Sequence, residues 1–363
     1  QPLPSALDSE HTLVLAFGAP RFADEPIALA ELADAFPKAI KLGCSTSGEI
    51  HGAEVHDASL SVAVARFDHT RLRRARAAVT TSAGSHAAGV DLARQLADDD
   101  LRAVFVLSDG LHVNGTSLVE GLTAALPTSV SITGGLAGGG TRFKRTWVFD
   151  GEPPQPGQIC AVGFYGERVR VGHGCEHGWG EFGPPRRVTR SHGNVLYELD
   201  GKPALQLYKT YLGELASGLP GTALLFPLAI WRHEQDAQHL VRTILAIDEA
   251  EQSMTFAGDM PEGSFARLMR STNDKLIDSA GVAAERASAG AAAGPSLVAC
   301  VSCGGRRLLL GERTDEEIET VTGATQRAAH VGFYSYGEIA PAAGGCGGEL
   351  HNQTMTVTVI SEA

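Results

Sequence analysis

Apolar residues fall in short runs separated by polar, Gly- or Pro-containing stretches along most of the chain. His11 to Phe17 (HTLVLAF) has the length and continuous apolar character of a buried strand. Ala28 to Phe36 carries helical spacing and stops before Pro37, which cannot continue a helix. Ala39 to Cys44 then predicts a second strand, followed by a turn at Ser45 to Gly48, and Leu60 to Phe67 predicts a third. His86 to Asp98 predicts an amphipathic helix, Leu101 to Leu107 a strand and Ser117 to Ala125 a helix, with Asn114 or Thr116 as its cap. Ser129 to Thr133 predicts a short strand that runs into the glycines of Gly134 to Gly140. Strand and helix thus alternate through the first part of the chain, as in a mixed α/β lobe.

From Thr146 the pattern favours strands. Trp147 to Phe149, Gln158 to Tyr165 and Arg168 to Gly172 predict a β-meander. Lys202 to Leu215 predicts a helix with Pro203 in its first turn. Leu240 to Ile247 and Ser253 to Phe256 predict strands, and Ser264 to Arg270 and Asn273 to Ala293 predict helices. Ser296 to Ser302 predicts a strong strand, Asp315 to Val321 a short helix, and His330 to Tyr336 and Thr354 to Ile360 the strands that close a sheet. The expected class is α/β (mixed α+β), with two lobes each built on a β-sheet with packed helices. One internal echo stands out: LGCSTSGEI (Leu42 to Ile50) and VGFYSYGEI (Val331 to Ile339) both place a hydroxyl residue, any residue and Gly-Glu-Ile just after a strand.

Composition narrows the function classes. The 363 residues are 43% hydrophobic and 20% charged, with a formal net charge of −12. That charge repels phosphate backbones, and the densest basic cluster, Arg71, Arg73, Arg74 and Arg76, reads as a strand edge, so no nucleic-acid partner is expected. No run is long and apolar enough to cross a bilayer and the start of the chain lacks a signal-peptide pattern. Six cysteines do not make a disulfide framework and read as reduced thiols, so a cytoplasmic location is expected.

Several clusters are candidates for chemistry. Gly134 to Gly140 (GGLAGGG) lacks the lysine of a P-loop and suits the rim of a pocket, with Gly134 and Gly138 as candidate positions. Ser108-Asp109-Gly110 reads as a strand-end turn, and no G-x-S-x-G nucleophile elbow occurs. Cys300 and Cys303 form a C-x-x-C, but on a strand they point to opposite faces, so a buried structural role is favoured over redox or zinc chemistry. Cys44 and Cys303 are the only plausible nucleophilic thiols, and no convincing base accompanies either, so no enzyme activity is expected. Gly172 to Gly183 (GHGCEHGWGEFG) concentrates His173, Cys175, His177, Trp179 and Phe182, a set able to ligate iron and stack on a planar group or, alternatively, to connect two lobes in solvent. Gly332 to Met355 gathers Tyr334, Tyr336, Glu338, His351 and Asn352, a mixture suited to a small-molecule pocket.

The segments GCSTSGEI, GGLAGGG, VTRSHGNVLYELDGKPAL, CGGRRLLLG, GFYSYGEIAP and HNQTMTVTVI together resemble the FIST family of bacterial sensory proteins, from about residue 13 to 360. The resemblance implies a leader over residues 1–10, a FIST N-terminal domain over 11–203 and a FIST C-terminal domain over 204–363. It implies a sensory role in signal transduction with a small-molecule ligand. The HGWGEFGP segment (His177 to Pro184) is more similar to the NosP-type members, which implies non-covalent haem b, nitric-oxide sensing and a partner histidine kinase or other cyclic-di-GMP pathway protein. On that reading His177 is the first candidate for the haem iron, then His173 and His351, with Trp179 beside the group. The alternative is a sensor of a small metabolite, such as an amino acid, without haem. A homodimer is compatible with either.

Overall fold

The structure is a computed structural model that describes residues 3–363 except 141–142, 237–238, 327 and 343–344. Residues 1 and 2 of the expected leader, and residues 343–344 within the Gly332 to Met355 cluster, lie outside the described residues. The mixed α+β class is observed.

Three of the sheets repeat one plan. In the first, Thr12–Gly18 and Ile40–Ser45 pair in parallel through helix α1 (Ile27–Ala35), and Leu60–Arg66 returns antiparallel beside Thr12–Gly18. In the second, Leu101–Ser108 and Ser131–Leu136 pair in parallel through α3 (Gly115–Ala125), which packs on α2 (Ser85–Leu96), and Gln158–Tyr165 returns antiparallel. In the third, Ser296–Cys303 and Ala328–Ser335 pair in parallel through α6 (Gly304–Leu310) and α7 (Thr314–Ala324), and Met355–Glu362 returns antiparallel.

Each unit then lends a strand to the next. The chain leaves Ile40–Ser45 as Glu49–His51, which pairs with Ala328–Ser335 of the third sheet. It leaves Ala328–Ser335 as Gly337–Ala340, which pairs with Ser131–Leu136 of the second. It leaves the second sheet to form Val148–Phe149, which pairs with Ile40–Ser45 of the first. The exchange closes a ring, so the echo between Leu42–Ile50 and Val331–Ile339 is one step of a threefold internal repeat.

The side-chain pattern explains the ring. Successive strand residues point to opposite faces. Leu13, Leu15 and Phe17, then Ala103, Phe105 and Leu107, then Leu297, Ala299 and Val301, enter one shared central core. The alternate residues Val14 and Ala16 pack under α1, Val104 and Val106 under α2 and α3, and Val298 and Cys300 under α5 (Asn273–Ala289) and α7. Both faces of each sheet are covered, which is why these strands read as unbroken apolar runs.

Residues 180–270 form a separate eight-stranded sheet, inserted before α5, with α4 (Ala204–Leu212) packed on it. This sheet and the three-sheet body are the two lobes. The sheets cross position 203, since Glu49–His51 lies in the third sheet and Gly337–Ala340 in the second.

Four local expectations change. Ser264 to Arg270 is not helical: Phe265–Arg270 is a strand between Leu228–Trp231 and Gly180–His192. The predicted helix of Lys202 to Leu215 is confined to α4, because Lys202–Pro203 pairs with Glu198 and Leu199. The expected meander does not form, because Gln158–Tyr165 pairs within the second sheet and Val169–Glu176 pairs with Met355–Glu362 of the third. The GHGC segment is not a loop but part of Val169–Glu176, and its glycines serve packing. A Cβ on Gly172 or Gly174 would lie 1.8 or 1.9 Å from a carbonyl oxygen of α5, so only glycine lets that helix approach.

Candidate functional site

The carboxyl ends of the parallel strands converge at the ring's centre, the place where α/β sheets present ligand-contacting loops. Thr46-Ser47-Gly48-Glu49 and Ser335-Tyr336-Gly337-Glu338 occupy equivalent positions in two units. Main-chain bonds interlock them with the third. Ser47 N–H donates to the Tyr334 carbonyl at 2.7 Å and Tyr334 N–H to that of Gly48 at 2.9 Å. Gly138 N–H donates to Ser45 at 2.9 Å, and Tyr336 N–H to Leu136 at 3.1 Å. The Ser47 hydroxyl accepts from Gly140 N–H at 3.0 Å, and the Tyr336 hydroxyl donates to the Gly140 carbonyl at 2.6 Å.

The two buried glutamates hold the turns in the same way. Glu49 accepts from the Thr46 hydroxyl and, at 2.9 and 2.8 Å, from the Ser59 N–H and hydroxyl. Glu338 accepts from the Ser335 hydroxyl at 2.5 Å and from the Thr354 N–H and hydroxyl at 3.1 and 2.9 Å. Burial pushes the Glu338 carboxyl up to about 7 against the pull of these donors. In the remaining unit Asp109 is the buried carboxylate. Burial works to raise it, and bonds from the N–H groups of His112, Leu111 and Gly157 and from the Thr146 hydroxyl outweigh that and leave it below its ordinary value. Glu49 and Glu338 brace the turns from behind, and Asp109 ties its own strand-end turn to Thr146 and Gly157.

In front of the turns lies a cavity of about 920 Å³. Its floor is Thr46, Ser47, Gly139, Gly140, Ser335 and Tyr336. One wall is charged. Arg307 donates to Asp57 through two bonds of 2.8 Å and to the Ser47 carbonyl at 2.6 Å, Arg145 pairs with Asp24, and Lys144 and Arg21 stand beside them. The apolar part of the lining comes from the inserted lobe and α6: Leu224, Thr243, Leu245 and Leu308. Phe143 stacks on Tyr336 at the rim, with ring centroids 4.7 Å apart.

Of the residues singled out in the sequence, Tyr336 lines the cavity, with Gly139 and Gly140 of the glycine run. Gly138, Tyr334 and Glu338 form the layer behind its floor. Tyr334 is fully buried and donates to Glu317 at 2.8 Å. Gly134 is further back, in the second sheet, where a Cβ would lie 1.9 Å from the Val106 carbonyl. His351, Asn352 and Gln353 sit in the seam between the two lobes: the Asn352 amide donates to the His351 carbonyl at 2.9 Å and the Gln353 amide to that of Leu224 at 3.2 Å.

The histidines do not meet at the cavity. His173 pairs across the third sheet with Thr358. His177 accepts from the Trp179 N–H at 2.9 Å through Nδ1, and its carbonyl accepts from Arg306 at 2.7 Å. Trp179 is buried and donates to the Gln353 carbonyl at 3.1 Å. The His351 ring lies 3.1 Å from the Ala340 carbonyl through Nε2. Burial drives both His177 and His351 down to about 4, helped by Arg306 and His239 at the first and by Arg242 and His177 at the second. These residues do not fit a haem: among the described residues no histidine lines the cavity, and His177 and His351 are packed in the seam beside buried arginines. No cluster of three His, Cys, Asp or Glu side chains able to hold a metal occurs among the described residues. Cys303 does line the cavity, yet burial pushes its thiol up to about 12, so it is not a thiolate at neutral pH.

Sequence reasoning did not single out Ser47, Arg307, Phe143 or Thr243. The hydroxyl-x-Gly-Glu echo contained Ser47 and could have pointed to it. Arg307 and Thr243 belong to elements that reach the cavity only through the fold.

Residues 12–202 match the FIST N domain and residues 204–341 match the FIST C domain. An uncharacterized protein of Methanocaldococcus jannaschii is 27% identical over 167 residues, which make up 42% of this chain and 31% of that protein. The chain thus spans less than a third of that relative's length. Among solved structures, cyanuric acid hydrolase from A. caulinodans aligns over 81% of this chain and 99% of its own at 11% identity, with a TM-score of 0.17, too low to carry an argument.

Proposed function

Because the chain belongs to the FIST family, whose domains are associated with sensory signal transduction, we propose that it is a sensor whose effector is a small molecule held in the central cavity. One observation carries the reading: the cavity is lined both by turns of the threefold body and by Leu224, Thr243 and Leu245 of the inserted lobe. A molecule there touches both lobes. It shifts their equilibrium by its differential affinity for two arrangements of them, which is the requirement for a switch. The output passes to a partner protein, for which a histidine kinase is the expectation that the resemblance gives.

Between the two ligand classes expected from the sequence, the geometry favours a small polar metabolite over haem, because among the described residues the cavity offers hydroxyls and charged side chains and no imidazole. The binding role is favoured over catalysis on the same ground: the Ser47 hydroxyl is engaged by the Gly140 N–H, and Cys303 is held as a thiol.

A thermal-shift screen against small organic acids, amino acids and nucleosides tests this. A ligand at a hundredfold excess over its Kd stabilises by about 2.7 kcal/mol. The expected result is at least one compound that raises Tm in the wild type and loses its effect in Leu245→Trp, which blocks the rim. A flat response throughout, or a hit indifferent to Leu245→Trp, refutes the assignment of the site.

A further inference from the structure

The two walls of the cavity differ in kind, and their difference describes a ligand. The chain as a whole is strongly acidic, yet four basic side chains against three acidic ones line this space. Arg307 is anchored by Asp57 and the Ser47 carbonyl, so its position is set in advance. Lys144 has no ion-pair partner among the described residues. This wall favours an anion.

The apolar side chains at the cavity mouth favour a flat apolar body. Few large hydrophobic side chains are exposed, and Phe143, Leu245 and Leu308, at 36, 37 and 44% exposure, are three of them gathered at this one mouth. Solvent-exposed apolar side chains that converge on a cavity mark a contact surface. The stacked Phe143–Tyr336 pair presents aromatic surface there.

A third feature lies among the apolar residues. Thr243 is 5% exposed and lines the cavity, and its hydroxyl has no hydrogen-bond partner among the described residues. A buried hydroxyl left unpaired is costly, and a ligand group that pairs with it recovers the loss.

We propose that the cavity takes an aromatic monocarboxylate bearing a hydrogen-bonding group on its ring, the carboxylate set against Arg307 and Lys144, the ring between Phe143, Leu245 and Leu308, and the ring substituent bonded to Thr243. Thr243 is then the specificity-determining residue. The proposal rests on the reading of this cavity as the effector site.

Isothermal titration of the full chain tests it with three probes: 4-hydroxyphenylacetate, phenylacetate and 4-hydroxyphenylacetamide. The expected order is 4-hydroxyphenylacetate tightest, phenylacetate weaker by about tenfold, the worth of one buried hydrogen bond, and the uncharged amide weaker still. In Thr243→Val the advantage of the ring hydroxyl disappears, while Tm without ligand stays level or rises, because the variant removes an unpaired group. Arg307→Met weakens both acids equally. An amide that binds as well as its acid, or a hydroxyl advantage that survives Thr243→Val, overturns the proposal, as does failure of all three probes to bind. In that last case a thermal-shift hit of another class, blocked by Leu245→Trp, leaves the site standing and removes only the ligand class. The absence of any such hit removes both.

Discussion

The guanidinium of Arg306 is fully buried in the seam that joins the ring to the inserted lobe, and its loss has a calculable effect. It donates to Glu317 at 2.8 and 2.5 Å, to the Leu276 carbonyl of α5 at 2.8 Å and to the His177 carbonyl at 2.7 Å. Both charged side chains are 0% exposed. Replacing Arg306 by Met keeps an unbranched apolar stem and removes the charge. Glu317 then stays buried with only the Ser302 and Tyr334 hydroxyls as donors, at 3.1 and 2.8 Å. Breaking a buried pair from one side costs about 3–5 kcal/mol, because the remaining charge is uncompensated. That is at least about a fifth of the stability of an ordinary domain, about 5–15 kcal/mol. Adding Glu317→Gln neutralises the stranded carboxylate and keeps an acceptor for Tyr334. The double variant is therefore more stable than Arg306→Met alone. Urea unfolding followed by tryptophan fluorescence measures both, and Trp179, two residues from the His177 carbonyl, reports the seam. Hydrogen exchange should rise at residues 177–179 in the single variant. A loss below about 1 kcal/mol for Arg306→Met, or a double variant weaker than the single, refutes the reasoning.

Gly48 has φ +142°, and a Cβ there would lie 2.5 Å from an Arg307 guanidinium nitrogen. Gly48→Ala should cost about 1–3 kcal/mol in urea unfolding and weaken binding of any cavity ligand by displacing Arg307. His177 and His351 are both held down to about 4, so the unfolded chain binds their protons near its ordinary 6.5 while the folded chain does not. Their contribution is fully present above pH 6.5 and is lost as pH falls toward 4, so urea midpoints at pH 7.5, 6 and 5 should decline and His351→Gln should flatten the decline. Burial raises the thiols of Cys44, Cys160, Cys175, Cys300 and Cys303, whereas Cys346 is exposed. Native-state alkylation read by mass spectrometry should therefore modify Cys346 first, and fast labelling of Cys300 or Cys303 would contradict their packing.

The parallel strands were legible because each is covered on both faces and so appears as an apolar run, as at His11 to Phe17 and Leu101 to Leu107. Asn114 was legible as a cap, and its side chain accepts from the Ser117 N–H at 3.0 Å. The inserted sheet was harder to read. Phe265–Arg270 (FARLMR) is short and interrupted by arginines, and neighbouring strands rather than its own pattern make it extended. The glycine- and histidine-rich GHGCEHG segment resembled a ligand loop because close helix packing and close ligand approach both demand glycine. Only the position of α5 separates the two causes. The cavity was legible in part: the repeated hydroxyl-x-Gly-Glu turn marks its floor, while Arg307, Lys144 and Thr243 are far apart in sequence and share no pattern.

Hydrogen–deuterium exchange, with and without a compound that raises Tm, tests most directly whether the central cavity is the effector site. Thr46–Glu49, Gly304–Arg307 and Thr243–Leu245 should gain protection together, because one ligand spans the ring and the inserted lobe. Protection confined to His173–Trp179 and Glu349–Gln353, with the cavity segments unchanged, would contradict it and move the site to the histidine seam.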